Sequence, residues 1–338
     1  MGLHFYLGSI QRRQGDNHRV KNDWMKSIVR AVVPLDVRVW IRTQKSKKSS
    51  SIKRLIGLKK DFRNREGLKN FDFTLFESRG KDGVSALLRV KNEAEKIHYC
   101  LISIYDLFDE IILVDNASED GTLEMVRQFK ARVDKEDKIK IYYYPFTIAR
   151  CGQENFETPE DSVFSLAYYY NWALSKCTCN YICKWDGDMV LTKAAREPMR
   201  TLFLRMQKEY FKKMCWAFNG QTVYRDLNGD YYLAKAEINS EIMIFPYGYN
   251  TRYCKIELYE MLTFDQPLPY ARLDGTTFYE LKFTNENEFA HWSTQDGPPP
   301  TPRKKMEWEN FFLIKRGDTS SDRFEKLPLD FLDNEMDN

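Results

Sequence analysis

Long apolar runs are missing from this 338-residue chain: nowhere do about 18 apolar residues follow one another, the length a helix needs to cross a bilayer. Cysteine is sparse and odd in number, seven in all, without the regular spacing of a disulfide framework, which suits reduced thiols. Histidine is scarcer still, with four copies, and none lies near Cys177-Thr178-Cys179 and Cys183. That cluster also lacks the spacing of a zinc knuckle, so its thiols read as buried structural cysteines. The opening ten residues run into Gln11-Arg12-Arg13-Gln14-Gly15-Asp16 without a cleavable apolar core, so the expected location is cytoplasmic.

What is present is enough for a core. Hydrophobic residues make up 43% and aromatic residues 14%, the composition of a globular chain with room for one large α/β domain and extensions, or two small domains. The net charge of +3 hides an asymmetry, because residues 1–83 hold 20 Lys+Arg against 8 Asp+Glu, a net of +12, and the remainder is acidic. In this basic quarter Trp24 and Trp40 interleave with arginines and lysines ahead of a polar run at 43–51. Two readings stand side by side: an extension, 1–80, partly helical and packed on the domain, or a segment 1–70 lying peripherally on an anionic membrane surface. No nucleic-acid-binding motif accompanies the charge, so nucleic acid is not expected as a partner. Residues 318–338 contain 7 acidic and 2 basic residues and few apolar ones, which predicts a loosely ordered acidic tail over 316–338.

Between these ends the pattern is regular. Val84-Ser85-Ala86-Leu87-Leu88-Arg89-Val90 reads as a buried strand, followed by polar Lys91-Asn92-Glu93 and helical spacing over 94–108. Glu110-Ile111-Ile112-Leu113-Val114 repeats the plan, ending in Asp115-Asn116-Ala117-Ser118-Glu119-Asp120-Gly121-Thr122 before a helix at 123–132. A third strand is expected at 138–144, then a helix at 161–175. The β-α-β-α order argues a parallel sheet whose ligands sit beyond the carboxyl ends of its strands. Lys184-Trp185-Asp186-Gly187-Asp188-Met189 then sets two carboxylates one residue apart at such an end, an arrangement suited to a hard divalent cation. After a charged helix at 194–213, Asn228-Gly229-Asp230 signals a hairpin turn between aromatic-rich strands, and 242–246 extends the sheet.

Leu88-Arg89-Val90-Lys91-Asn92-Glu93, the Asp115–Thr122 block and Asp186-Gly187-Asp188, in that order, resemble the family 2 inverting nucleotide-sugar glycosyltransferases. The resemblance covers roughly residues 83–192. It implies a GT-A fold: a Rossmann-like, mostly parallel sheet flanked by helices, with a mixed β region on the acceptor side. The domain would span 81–315, with the nucleotide in 81–192 and the acceptor in 193–315. Asp115 would bond the base, uracil first among candidates, Arg89 and Glu93 would line the nucleoside pocket, and Asp186 would serve both nucleotide and metal. Asp186 and Asp188 would hold Mn²⁺ or Mg²⁺, with His291 completing the site. On the helix at 161–175 Asn171 follows the family pattern while Tyr168-Tyr169-Tyr170 replaces its basic residue; Arg150 is the candidate substitute.

The implied reaction moves a sugar from a nucleoside diphosphate to a hydroxyl of a glycan, lipid or protein. Inversion calls for a carboxylate to take the acceptor proton as it attacks. Glu257 is favoured, with Glu260, Glu241 and Glu237 as alternatives. A sugar-phosphate nucleotidyltransferase would need a glycine-rich loop after the first strand, and Arg89-Val90-Lys91-Asn92-Glu93 has none. A processive polysaccharide synthase should carry membrane helices, and a catalytically inactive binding protein has no need of an intact Asp-x-Asp.

Overall fold

A computed structural model describes residues 80–208, 213–248, 251–264, 267–284, 288–289, 292–293 and 302–336. All belong to the unit Leu58–Asn338. The basic extension up to residue 79, with its two readings, and His291 lie outside the described residues.

The chain opens as β1 (Lys81–Val90), α1 (Ile97–Ile104), β2 (Glu110–Asp115), α2 (Thr122–Val133) and β3 (Ile139–Tyr143). There follow β4 (Cys151–Gly152), α3 (Gln153–Glu157), α4 (Leu166–Leu174), β5 (Cys179–Asp186), β6 (Met189–Leu191) and α5 (Lys193–Lys208). The second half holds β7 (Cys215–Arg225), β8 (Tyr231–Pro246), β9 (Arg252–Ile256), β10 (Tyr259–Thr263), β11 (Tyr270–Arg272), β12 (Phe278–Phe283) and β13 (Trp292–Ser293). It ends with α6 (Pro302–Lys315), β14 (Phe324–Lys326) and α7 (Phe331–Met336).

One ten-stranded sheet spans both expected halves, in the order β3-β2-β1-β5-β8-β7-β12-β6, with β11 on β7 and β14 on β8. From β3 to β5 the strands are parallel; β8 runs against both β5 and β7, and β6 against β12. This is the expected GT-A arrangement, a parallel Rossmann-like half continued by a mixed region. Both faces of β1 and β2 are covered, which is why their sequences are near-continuous apolar runs. Leu88, Leu113, Cys183 and Trp185 pack under α1, α2 and α5, while Leu87, Ile112 and Ile182 pack under α4. Within the mixed region Gly220 passes so close to Phe278 that a Cβ would fall 2.1 Å from its ring. The hairpin expected at Asn228-Gly229 joins β7 to β8, with Gly229 at φ 90°.

Lys255–Glu260 lies on the β9-β10 hairpin, with Glu257 in its turn at φ 48°. One expectation is corrected: the acidic end is not loose, because its few apolar residues are well placed. Phe324 joins a cluster with Tyr224 and Phe311 and pairs in the sheet, while Phe331 and Leu332 pack against Val190, Val223 and Leu281. Composition averages over the segment; the fold buries three side chains of it, Phe324, Phe331 and Leu332.

Candidate active site

Parallel pairing brings the ends of β1, β2 and β5 side by side, with Val90 opposite Asp115 and Arg89 opposite Asp186. The loops beyond β1 and β2 are tied together almost wholly by backbone N–H groups donating to side chains. Asn92 N–H donates to Ser118 Oγ (2.9 Å), Glu93 N–H to Thr122 Oγ1 (2.7 Å) and Ala94 N–H to Asp120 Oδ2 (2.9 Å). In return Glu119 N–H donates to Asn92 Oδ1 (2.9 Å). Asn116 turns the other way, its amide donating to the carbonyls of Tyr144 and Phe146 beyond β3. The latch needs left-handed backbone at Asn92 (φ 58°), Ala117 (φ 53°) and Gly121 (φ 93°). Most of the Asp115–Thr122 block is therefore scaffold.

Asp115 is the exception. Its carboxylate is 1% exposed; Oδ2 accepts Ser118 N–H at 3.2 Å, and Oδ1 has no partner among the described residues. A buried acceptor left unmade costs about 1–3 kcal/mol, so one retained at the end of a sheet strand is suited to a ligand donor.

A second group of residues lies on the face covered by α4. The Arg89 guanidinium is 5% exposed, sits 3.5 Å from the Tyr170 ring centroid and 5.4 Å from that of Tyr253, and reaches Asp186 at 3.9 Å. Its Nη1 is buried without a partner among the described residues, and so is Oε2 of Glu260. Burial pushes the Glu260 carboxyl above the usual range, with the Arg89 charge pulling it back. Lys184 Nζ lies 3.6 Å from Asp186 and 2.9 Å from Glu241. Burial would raise Glu241, but Lys184 outweighs it and holds the carboxyl below its ordinary value.

Asp188 has a different setting from its neighbour. Asp186 is 35% exposed at its side chain; Asp188 is 9% exposed, and Lys282 Nζ stands 2.7 Å from its Oδ2. The same ammonium reaches Glu280 at 2.9 Å and Glu288 at 3.3 Å. Lys96 continues the chain of charges from Glu288 (3.1 Å) to Glu93 (2.9 Å), and Arg303 and Lys304 of α6 join it through Glu280 and Glu307. Burial, partly offset by Lys96, pushes the Glu93 carboxyl up to about 7. Gly187 permits this assembly: a Cβ there would lie 2.8 Å from Val90 Cγ1 and 3.2 Å from Glu93 Cγ.

The structure thus gathers Arg89, Glu93, Asp115, Asp186, Asp188, Glu241 and Glu260 around neighbouring strand ends and the strands beside them. Glu257 is exposed in its turn, and Glu237 is buried in bonds to Tyr224 Oη and Asn310, both 2.9 Å. Asn171 clamps β9 through both backbone polar groups of Tyr253, and Arg150 pairs with Glu154 on the surface. Lys96, Lys282, Glu280 and Glu288 escaped the sequence reading. One signal was available: Glu280 and Lys282 flank Leu281 at strand spacing inside an otherwise apolar segment, which sets two opposite charges on one buried face.

Residues 85–147 match the family model described as Glycosyl transferase family 2. The matched range contains the Arg89–Glu93 and Asp115–Thr122 blocks and ends before Asp186, so the match covers the first two blocks and not the third. No curated protein matches the chain. Among solved structures, it is similar to glucosyl-3-phosphoglycerate synthase from Mycobacterium tuberculosis in complex with Mn²⁺, uridine diphosphate and phosphoglyceric acid. The identity is 16%, covering 46% of this chain and 48% of that one, at a TM-score of 0.27. The complex of that synthase with Mg²⁺ and uridine diphosphate stands at 15% identity, 45% and 47% coverage and a TM-score of 0.26. The chain spans less than half the length of these structures, and likeness at this level says nothing of activity.

Proposed function

We propose that this protein is a nucleotide-sugar glycosyltransferase that takes a nucleoside diphosphate sugar, a UDP-sugar first among donors, and delivers the sugar to a hydroxyl of a glycan, lipid or protein. The observation that carries the reading is Asp115: a buried carboxylate with an unpartnered Oδ1 at the end of β2, inside the family 2 segment, placed to accept an N–H from a base. Arg89 and Glu93 would flank the nucleoside.

Asp186 and Asp188 fit a divalent cation. Ions such as Mg²⁺ are commonly bound by one or two carboxylates together with substrate phosphates rather than by a full protein cage. Asp186 and Asp188 supply such a pair, Asp186 with a third of its side chain open. Bound there, Mn²⁺ or Mg²⁺ would stabilise negative charge on the leaving diphosphate. Arg89 and Lys184 approach the two oxygens of Asp186 at 3.9 and 3.6 Å and orient that carboxylate.

For an inverting transfer the base is best sought in Glu260. Glu241 is engaged by Lys184, Glu237 is locked in the core and Glu257 points from an exposed turn. Glu260 and Glu237 each have a raised carboxyl and one buried oxygen without a partner among the described residues, but only Glu260 lies within electrostatic reach of Arg89 and Asp186. A raised carboxyl beside a cation can take the acceptor proton near neutral pH.

Thermal melting with nucleotide sugars and Mn²⁺ tests the donor reading, since a ligand at 100 times its Kd stabilises by about 2.7 kcal/mol. Wild-type protein should gain this with a UDP-sugar and Asp115→Ala should lose it while remaining folded. An equal gain in both would overturn the role of Asp115. Glu260→Gln should keep donor binding and lose about 10²–10⁴-fold in kcat; an unchanged kcat would return the role to Glu257 or Glu241.

A further inference from the structure

Lys282 has no part in the reaction as derived, yet it makes the shortest ionic contact to a proposed metal ligand. Its Nζ is 2.7 Å from Asp188 Oδ2, with Glu280 and Glu288 at 2.9 and 3.3 Å. The backbone carrying Lys282 is fixed beside Asp188, because Leu281 N–H donates to the carbonyl of Asp188 at 2.9 Å and β12 pairs with β6 just beyond. At 5% exposure the contact is also shielded from solvent, where ionic attraction is stronger than at a surface.

We propose that Lys282 is an internal competitor for the divalent cation: it holds Asp188 in the metal-free protein and yields that carboxylate, keeping Glu280 and Glu288, when the ion binds. The inference rests on the metal-dependent donor reading above. Three carboxylates around one ammonium make the exchange feasible. A lysine with Asp188 as its single partner would be left as an unpaired buried charge once the metal took it, at a prohibitive cost. Lys282 keeps two partners, so the exchange unpairs nothing.

The arrangement also sets a threshold. A carboxylate already held by a unit positive charge is a poor ligand for another monovalent ion and gives way to a doubly charged one, whose attraction is about twice as large at equal distance. Lys282 is thus a positioning residue that trades metal affinity for valence selectivity and for an Asp188 that stays aimed in the absence of metal. Lys96, bridging Glu288 and Glu93, anchors the acceptor carboxylate from behind, so that Glu288 stays in place as the ammonium shifts.

The test is calorimetric titration of the full chain with Mn²⁺ alone, at fixed neutral pH. Lys282→Met should bind Mn²⁺ about tenfold more tightly than wild type, because the competing charge is gone. Lys282→Arg should stay close to wild type. A merely structural lysine predicts the opposite sign, since loosening the site weakens the ion's hold. Glu288→Gln, a milder change, removes one of the two alternative anchors and should weaken Mn²⁺ binding; it decides the matter if Lys282→Met does not fold. Wild-type protein that takes up no Mn²⁺ would overturn the metal reading and this inference with it. Wild-type binding combined with unchanged or weaker binding in Lys282→Met, or unchanged or tighter binding in Glu288→Gln, would overturn the competitor role alone.

Discussion

At the end of β2 each polar side chain of the latch meets a partner 26 to 29 residues away in the chain, chiefly a backbone N–H group. Around Asp188 charges are met by other charges, brought from 94 residues away in Lys282 and 192 in the Lys96–Glu288 pair. The first region is a latch of largely neutral donors around a single acidic acceptor, Asp120; the second is a buried ion network balanced between several carboxylates and lysines. Both hold a carboxylate for use at a strand end, by opposite means. Hydrogen bonds from the backbone shape a loop and tolerate the loss of any one member, whereas a buried network fails sharply when one charge is removed.

The largest break in that comparison should come from Asp188→Asn. It leaves Lys282 with an amide in place of one of its three carboxylates, and we expect a loss of about 2 kcal/mol in urea unfolding, the cost of one hydrogen bond to a charged group, along with most turnover. Asp188 is too buried for its substitution to act on catalysis alone. Asp120→Ala, in the latch, should cost about 1 kcal/mol, since the N–H groups of Ala94 and Thr122 can turn to water at that exposed position. A cost for Asp120→Ala equal to that of Asp188→Asn would erase the distinction.

A finer test is pH. Burial would raise Asp120, but bonds from Thr122 and Ala94 outweigh it and depress the carboxyl below 3.8, so its contribution is present above that value and lost as pH falls through the folded pKa. Glu93 runs the other way. Raised from 4.5 to about 7, it favours the folded state while protonated, and that contribution fades as pH climbs between the two values. Melting temperatures should therefore show Glu93→Gln gaining on wild type as pH rises from 4.5 to about 7, and the deficit of Asp120→Ala shrinking as pH falls below 3.8. Parallel pH profiles for both variants would show that the two regions do not differ in this respect.

The same contrast explains what could be read from the sequence. Strand runs, turn chemistry and the Asp115–Thr122 block act over short separations, so β1 to β3, the β7-β8 turn and Asp115 were legible. The block's meaning was only half so: Ser118, Asp120 and Thr122 bind the neighbouring loop, a role that shows only once β1 and β2 lie side by side. The ion network was not legible, because Lys282 and Asp188 become partners through strand order, and strand order in the mixed region follows from packing such as Gly220 against Phe278. The four glutamates could not be ranked from the sequence for a related reason. Glu257 and Glu260 are three residues apart, yet a tight hairpin turns one outward and the other toward Arg89.

Gly187 links the two regions, and its missing side chain has a consequence for how such a chain can diverge. The space a methyl group would need is already filled by Val90 and Glu93, one from the strand that abuts the latch and one from the charged network. A larger residue at 187 is therefore admissible only alongside a smaller one at 90 or a shorter one at 93. In a set of descendant sequences these three positions should drift together, while the two aspartates flanking Gly187 stand still.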